Sequence, residues 1–224
     1  MKPLVCIIAH PDDEAFGPAG SIAHFSRLRA VHILCATSGD ADSKFTKHES
    51  SQLGKIREKE LRASARILGV TSVVFLGFHD GTLCNNSYHD LAESIQRKLE
   101  ELRPDTILTF DTNGISGHID HIVVSLVTTF VFNKLGYVKT LLYYTERKEW
   151  MDAFMVDIGQ YFVYVPPGRI RSDIGLTIDT KKYWEIRVKA MDAHVSQKSD
   201  AEWLKRVLAK LPKEEHFLVL EKKL

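Results

Sequence analysis

Residues 4–14 read LVCIIAHPDDE, an apolar run that passes without a break into a cluster of histidine and acidic side chains. A continuous apolar run of this length is typical of a strand that is buried on both faces of a parallel sheet. In open α/β sheets, ligands bind beyond the carboxyl ends of such strands. This stretch therefore predicts both the class of fold and the edge of the sheet at which its chemistry takes place.

Strand and helix patterns alternate through the first two thirds of the chain. Further runs rich in β-branched residues lie at 31–37, 73–77, 106–110 and 140–145. Between them, apolar residues recur at helical spacing in stretches that end near Leu28, Gly69, Arg103 and Gly136. This alternation predicts an α/β fold, in which a Rossmann-like, mostly parallel sheet is flanked by helices.

The last third of the chain, from about residue 146, follows another pattern. Strand patterns at 160–165 and 174–178 flank a turn signal at Pro166-Pro167-Gly168, and helical patterns at 181–194 and 201–210 precede a strand pattern at 217–220. We expect a small C-terminal α+β extension on a core of about residues 1–145. Because no repeat or low-complexity linker interrupts residues 1–224, the sequence predicts a single domain.

The charge balance argues against two classes of partner. The chain has 30 basic and 29 acidic residues, which give a formal net charge of +1. Nucleic acids and anionic membranes are bound mainly through an excess of positive charge, which this chain lacks. Its longest apolar stretch, 122–132, is about half as long as a membrane-spanning helix. We therefore expect a globular protein with no nucleic-acid partner and no membrane span.

The cysteines indicate the compartment. Cys6, Cys35 and Cys84 are widely spaced and form no CxxC pair. An odd number of scattered cysteines favours reduced thiols over a disulfide framework. Residues 1–3 lead directly into the first strand and carry no cleavage site of the signal-peptide type. Both observations predict a cytoplasmic protein.

Polar clusters follow each of the first four predicted strands, at residues 10–14, 37–40, 79–81 and 111–121. The first and last carry histidine and aspartate at ligand spacing. His10 and Asp13 are three apart around Pro11, and His118 and His121 are three apart at the start of a helix. A catalytic zinc ion typically takes three such ligands and leaves one position for water. The two clusters therefore predict one shared metal site.

Each cluster alone has an ordinary structural explanation. A His-Pro-Asp sequence is commonly a turn whose aspartate caps a helix, and a His-x-Asp-His sequence is commonly a solvated helix face. Their joint position at one edge of the predicted sheet is the observation that favours a metal site.

The same motifs resemble the signatures of the LmbE-like family, also called the PIG-L or GlcNAc-PI de-N-acetylase family of zinc-dependent deacetylases. Residues 9–14, AHPDDE, match the first signature, and residues 117–121, GHIDH, match the second. Weaker similarities lie at TSGD, residues 37–40, and at AHVSQ, residues 193–197. The resemblance implies hydrolysis of an N-acetyl amide on an N-acetylglucosamine-type sugar or glycoconjugate, with release of acetate and a free amine.

The resemblance also implies the cofactor and its ligands. His10, Asp13 and His121 would hold one Zn²⁺ per chain. Fe²⁺ is the alternative, because two imidazoles and a carboxylate suit either metal.

Further roles follow from the resemblance. Asp12 would be the general base, and His118 the cationic partner of the oxyanion or of the leaving amine. Asp120 would orient His118 and tune its charge, and Arg57 would contact substrate. The residues around Arg57, at 55–62, are also typical of a charged, exposed helix.

Asp40 and Asn113 are predicted to contact substrate from the loops after the second and fourth strands. Both, like Asp80, also suit a turn beside glycine. Three positions depart from the family pattern. Ser116 and His79 stand where some members carry tyrosine and proline, and Asp40 stands where glutamate is common. These departures concern the choice of substrate more than the metal chemistry.

Other functions stay open at this point. One is an amidase that acts on thiol conjugates of a glucosaminyl pseudodisaccharide. Another is a metal-dependent phosphoesterase, although the chain has no phosphate-binding glycine loop. A third is a non-catalytic binding protein with the same fold. We expect a small-molecule or glycoconjugate substrate and leave open a homo-oligomer and the role of residues 194–197.

Overall fold

A computed structural model describes residues 1–41, 50–158 and 164–222 of the chain. Its strands are β1 (Leu4–Ile8), β2 (Val31–Thr37), β3 (Ser72–Phe78), β4 (Thr106–Phe110), β5 (Thr140–Thr145), β6 (Leu176–Asp179) and β7 (Glu214–Glu221). Its α-helices are α1 (Asp13–Phe16), α2 (Ala19–Ser26), α3 (Ser50–Leu68), α4 (Tyr88–Leu102), α5 (Ile119–Lys134), α6 (Lys148–Ile158), α7 (Trp184–Asp192) and α8 (Lys198–Ala209).

The seven strands form one sheet in the order β3-β2-β1-β4-β5-β7-β6. Strands β1 to β5 are parallel, whereas β7 runs antiparallel to β5 and β6 antiparallel to β7. The prediction of a mostly parallel, Rossmann-like α/β sheet is confirmed. The order of strands reverses between β1 and β4, and such a reversal is where open sheets of this kind bind ligands.

The core consists of the central strands and the helices on their two faces. Every residue of β1 and of β4 is buried, as the continuous apolar runs predict. Helix α4 packs its buried Leu91, Ile95 and Leu99 inward and ends at Leu102. The next residue, Arg103, has a φ of 51° and precedes Pro104. Among the described residues, no helix combines the length and the apolarity needed to cross a membrane.

The C-terminal extension adds strands to the same sheet. The strand patterns at 174–178 and 217–220 correspond to β6 and β7, and the two helical patterns correspond to α7 and α8. Of the strand predicted at 160–165, residues 160–163 lie outside the described residues, and Tyr164 and Val165 are not in a strand. Helix α6 had no sequence prediction. Because β7 pairs directly with β5, the arrangement supports a single domain, which stays a prediction.

A buried ionic cluster fastens the extension to the first helices. The carboxylate of Glu215, on β7, accepts the backbone N–H groups of Gly20 at 2.8 Å and Ser21 at 2.7 Å, in the first turn of α2. Arg187, on α7, donates to Glu215 at 3.2 Å and to the carbonyl oxygen of Phe16 at 2.6 Å. A helix N-terminus favours a carboxylate through its free N–H groups and its dipole. The cluster therefore connects the end of the chain to the segment that follows the first motif.

Substitution Arg187→Met should destabilise the protein strongly. The side chains of Glu215 and Arg187 are 1% and 7% exposed, so the change leaves a buried carboxylate without its cation. Removing one partner of a buried ion pair typically costs about 3–5 kcal/mol in the free energy of unfolding. Urea denaturation followed by circular dichroism measures the loss. Lys198→Met, at an exposed pair with Glu202, is the matched control and should change little. Equal stability of the two variants would contradict the assignment.

Candidate metal centre

The two polar clusters predicted from the sequence meet at the reversal of strand order. Strands β1 and β4 pair directly, with Leu4 beside Thr106 and Cys6 beside Leu108. No strand therefore separates the loops that follow them. The ring centroid of His10 lies 4.7 Å from that of His118 and 5.1 Å from that of His121.

Three side chains present metal-binding atoms to one point. His10 Nδ1 lies 3.2 Å from His121 Nε2, and His121 Nε2 lies 3.2 Å from Asp13 Oδ1. His10 Nδ1 and Asp13 Oδ2 are 3.8 Å apart. Ligand atoms bonded at 2.0–2.2 Å around a tetrahedral zinc ion stand roughly 3.3–3.6 Å from one another. The donor set and its spacing therefore fit a divalent cation. A ring nitrogen of His118 also lies within 4.8 Å of those of His10 and His121.

Hydrogen-bond acceptors orient both imidazoles from the side that faces away from the centre. His10 Nε2 faces Asp80 Oδ1 at 3.0 Å and Asp120 Oδ2 at 3.2 Å, and His121 Nδ1 faces the carbonyl oxygen of Gly114 at 3.2 Å. A proton on each of these nitrogens satisfies the acceptor and leaves the lone pair of the other ring nitrogen directed at the centre. Histidines that bind metals are commonly fixed in this way. This is a second observation in favour of a metal.

Carboxylates surround the histidines with negative charge. Burial lowers the pKa of His10, but its hydrogen bonds to Asp120 and Asp80 outweigh burial and raise that pKa to about 10. Burial alone would raise the pKa of Asp13, but His121 holds it well below its usual range. The centre is therefore electrostatically suited to positive charge.

Asp12 stands next to the proposed ligands in a strained backbone conformation. Its φ of 120° lies in the left-handed region, which costs a non-glycine residue on the order of 1–3 kcal/mol. Arg57 Nη2 donates to Asp12 Oδ2 at 2.8 Å and to the carbonyl oxygen of Pro11 at 2.7 Å. Burial raises the pKa of Asp12 to about 6, although Arg57 acts in the opposite direction. Arg57 is itself buried, so the exposed-helix alternative for this residue is wrong.

His118 is held as a hydrogen-bond donor. It precedes the first turn of α5, where its Nδ1 accepts the backbone N–H of Asp120 at 3.2 Å. The proton of the neutral ring is then on Nε2. Burial, followed by the charges of His10 and His121, lowers the pKa of His118. Asp120 thus orients His118 through its backbone, while its carboxylate contacts His10 and accepts N–H groups of the loop after β3.

The remaining predicted residues shape the loops around the centre. Asp40 Oδ1 accepts the backbone N–H of Asp80 at 3.0 Å, and Asp40 Oδ2 lies 2.8 Å from His79 Nδ1. Asn113 Oδ1 accepts the backbone N–H of Ile115 at 2.9 Å. Contact of Asp40 and Asn113 with substrate stays a prediction. Asp80 was predicted to be a turn residue, but its carboxylate contacts His10. Its position after β3, at the same edge of the sheet, was the signal that could have identified it as a residue of the site.

A later segment packs against the loop that carries His118. Gly117 has a φ of 80°, and a Cβ atom at this position would overlap the carbonyl oxygen of Tyr164. Arg169 anchors the same segment through two hydrogen bonds to the buried carboxylate of Asp111, at 2.7 and 2.8 Å. The loop after β4 is therefore fixed at both of its ends.

Comparison with known proteins identifies relatives over most of the chain. A family model described as PIG-L, GlcNAc-PI de-N-acetylase, matches residues 5–132. A curated 1D-myo-inositol 2-acetamido-2-deoxy-alpha-D-glucopyranoside deacetylase from Mycobacterium sp. (strain KMS) is 30% identical in an alignment that covers 88% of this chain and 75% of the relative.

Two solved structures share the fold. The N,N'-diacetylchitobiose deacetylase from Pyrococcus horikoshii has a TM-score of 0.74 and 19% identity, over 98% of this chain and 84% of its own. The 4-carboxy-2-hydroxymuconate hydratase from Pseudomonas putida KT2440 has a TM-score of 0.70 and 18% identity, over 100% of this chain and 98% of its own. At such identities the likeness establishes the fold alone. Because these two enzymes catalyse different reactions, the reaction must be argued from side chains.

Substitution Gly117→Ala should destabilise the loop after β4 more than Gly81→Ala destabilises its own loop. Both glycines have a positive φ, but a Cβ at Gly81 would meet no atom within 4 Å. Gly81→Ala therefore carries only backbone strain, about 1–2 kcal/mol. Gly117→Ala adds overlap with a backbone oxygen, which should lower the free energy of unfolding by about 1–3 kcal/mol more. Urea denaturation of both variants measures the difference, and equal losses would show that residues 164–169 do not pack on this loop.

Proposed function

Since the chain belongs to the PIG-L family of GlcNAc-PI de-N-acetylases, we propose that it hydrolyses the N-acetyl amide of an N-acetylglucosamine-type sugar or glycoconjugate and releases acetate and a free amine. The observation that carries the proposal is the convergence of His10, Asp13 and His121, with Asp12 beside them, at the reversal of strand order. The mycobacterial relative bears the name of a deacetylase for such a sugar linked to inositol, which supports the substrate class.

The proposed cofactor is one Zn²⁺ held by His10, Asp13 and His121, with Fe²⁺ as the alternative. When bound, the ion supplies a Lewis acid for the amide carbonyl and lowers the pKa of a water molecule to roughly 7. The protein's own part is to orient the donors. Asp80, Asp120 and the carbonyl oxygen of Gly114 do this from behind the two rings.

Asp12 is the proposed general base. It takes a proton from the attacking water on its carboxylate and returns it to the nitrogen that leaves. A positioned base typically contributes about 10²–10⁴-fold to the rate. Arg57 holds the Asp12 carboxylate through Oδ2 and so fixes its direction.

His118 is the proposed partner of the negative charge that develops on the amide oxygen, as a neutral hydrogen-bond donor and not as the cation that the resemblance implies. Its Nε2–H donates to that oxygen, because Nδ1 is occupied by the backbone N–H of Asp120. Loss of one such donor typically costs on the order of 3 kcal/mol in transition-state stabilisation.

The surroundings of the site are also proposals. Arg57, Asp40 and Asn113 are assigned to the walls that receive the sugar. A cytoplasmic setting agrees with three free thiols, of which Cys6 and Cys35 are buried and Cys84 is exposed. Self-association and the absence of a nucleic-acid partner stay predictions.

Metal analysis tests the ligand assignment. Wild-type protein purified without chelator should contain about one divalent ion per chain, and His121→Ala should contain little because one of three ligands is lost. Since a ligand that binds only the folded state stabilises it, a chelator should lower the melting temperature of the wild type but not of His121→Ala. His89→Ala, at an exposed position, is the control. A full complement of metal in His121→Ala would rule out this ligand.

Activity of Asp12→Asn tests the base. The variant should retain metal and release acetate about 10²–10⁴-fold more slowly than wild type, because the amide cannot take up a proton. Acetate is measured with N-acetylglucosamine and its inositol conjugate, and Asp90→Asn, at an exposed position of α4, is the matched control. Parallel assays with thiol conjugates and phosphomonoesters address the other hydrolases. Turnover of a phosphomonoester without acetate release from any N-acetyl sugar would reject the proposed function.

A further inference from the structure

A buried carboxylate directly follows the first metal-ligand motif. Glu14 is fully buried, and its Oε1 accepts a hydrogen bond from Ser64 Oγ at 2.5 Å and faces His194 Nε2 at 2.7 Å. Its other oxygen, Oε2, accepts the backbone N–H of Asp12 at 3.2 Å. We call Glu14, Ser64 and His194 the Glu14 network. Its three members come from α1, α3 and the turn after α7, and all are fully buried.

The network holds one edge of the Pro11–Asp12 peptide, and Arg57 holds the other. The N–H of this peptide donates to Glu14, while its carbonyl oxygen accepts from Arg57 Nη2 at 2.7 Å. A flip of the peptide would turn its oxygen toward a carboxylate and its N–H toward a guanidinium. Both new contacts are repulsive, so the two opposite charges keep Asp12 at its strained φ of 120°.

The side chain of His194 has few polar contacts. Among the described residues its Nδ1 has no hydrogen-bond partner, so the hydrogen bond of this buried ring is the one to Glu14. A buried polar side chain with one unsatisfied atom is costly, and an apolar residue of similar shape would fill the space at less cost. Packing alone therefore does not account for a histidine at this position.

One face of α3 brings the parts together. Arg57, Glu60 and Ser64 are spaced three and four residues apart and so lie on one side of the helix. Glu60 accepts the backbone N–H and the hydroxyl of Ser196 at 2.8 and 2.6 Å. These bonds dock the turn that follows His194 onto the helix that also carries Ser64 and Arg57.

We propose that Glu14 and His194 are positioning residues for the reaction. Through the Pro11–Asp12 peptide they hold the Asp12 carboxylate in the direction from which it takes the proton of the attacking water. Ser64 assists by fixing the same oxygen of Glu14. The proposal rests on the proposed function, because it assigns the effect to Asp12 as general base.

Steady-state kinetics of metal-loaded variants test the positioning role of His194 and Glu14. His194→Leu removes the donor to Glu14 and should lower kcat for acetate release by about 10–100-fold, a part of the about 10²–10⁴-fold that a positioned base contributes, with little change in KM or metal content. His194→Gln, whose amide can donate to Glu14, should recover most of the loss. Ser64→Ala removes one of two donors and should give a smaller loss in the same direction, which keeps the test available if His194→Leu does not fold.

His216→Leu is the matched control. His216 is another buried histidine, 2% exposed, and lies on β7 within the C-terminal extension. The His216→Leu variant should have a lower free energy of unfolding than wild type, but kcat of the folded enzyme should be unchanged. If His194→Leu behaves in the same way as His216→Leu, or changes KM alone, the positioning role is wrong.

A double-mutant cycle and a crystal structure separate this proposal from the proposed function. In the Asp12→Asn background, His194→Leu should cause almost no further loss, since both act through one group. A full additional loss would contradict the proposal. In a crystal structure of His194→Leu we expect a reoriented Pro11–Asp12 peptide, and an unchanged φ at Asp12 would also contradict it. Absence of acetate release from the wild type would reject the proposed function, while the crystal structure would still decide whether the network holds the peptide.

Discussion

The direct parallel pairing of β1 with β4 is the constraint on which the rest of the structure depends. Because the order of strands reverses there, the loops after β1 and β4 leave the sheet side by side and turn to opposite faces. Both strands are fully buried, so the core fixes the points at which the two loops begin. Side chains that are more than a hundred residues apart in the chain thus meet at hydrogen-bond distance.

Such a meeting point is costly unless its charges are compensated. Asp13, Asp80 and Asp120 are withdrawn from solvent around two imidazoles, and each has a defined partner. The proposed cation at His10, Asp13 and His121 would satisfy the ligand atoms that face inward, while the carboxylates and one carbonyl oxygen satisfy the nitrogens that face outward. The strained backbone at Asp12 belongs to the same arrangement, since opposite charges on the two sides of its peptide oppose relaxation.

Local sequence patterns predicted what depends on neighbours along the chain. The strands and helices of residues 1–145 follow from periodicity, and the two motifs of the proposed metal site follow from histidine and aspartate spacing at strand ends. The burial of Arg57 could not be predicted, because the charged stretch 55–62 does not reveal which face of the helix contacts the first loop. The partners of Glu14 could not be predicted either. Ser64 and His194 are about 50 and 180 residues away in the sequence, and only tertiary packing brings them into contact with Glu14. Helix α6 was missed although Gly159 directly follows its last residue, and glycine at that position commonly marks the end of a helix.

Residues far beyond the second motif complete the site that the two motifs begin. Arg169 fixes the buried Asp111 of the loop after β4, His194 completes the surroundings of Glu14, and Glu215 binds the start of α2 behind the first loop. Each supplies a charge or a donor that the buried first half of the site needs and does not itself contain. Because a hydratase is built on the same fold, the fold alone does not specify the reaction, which depends on the side chains that the fold brings together.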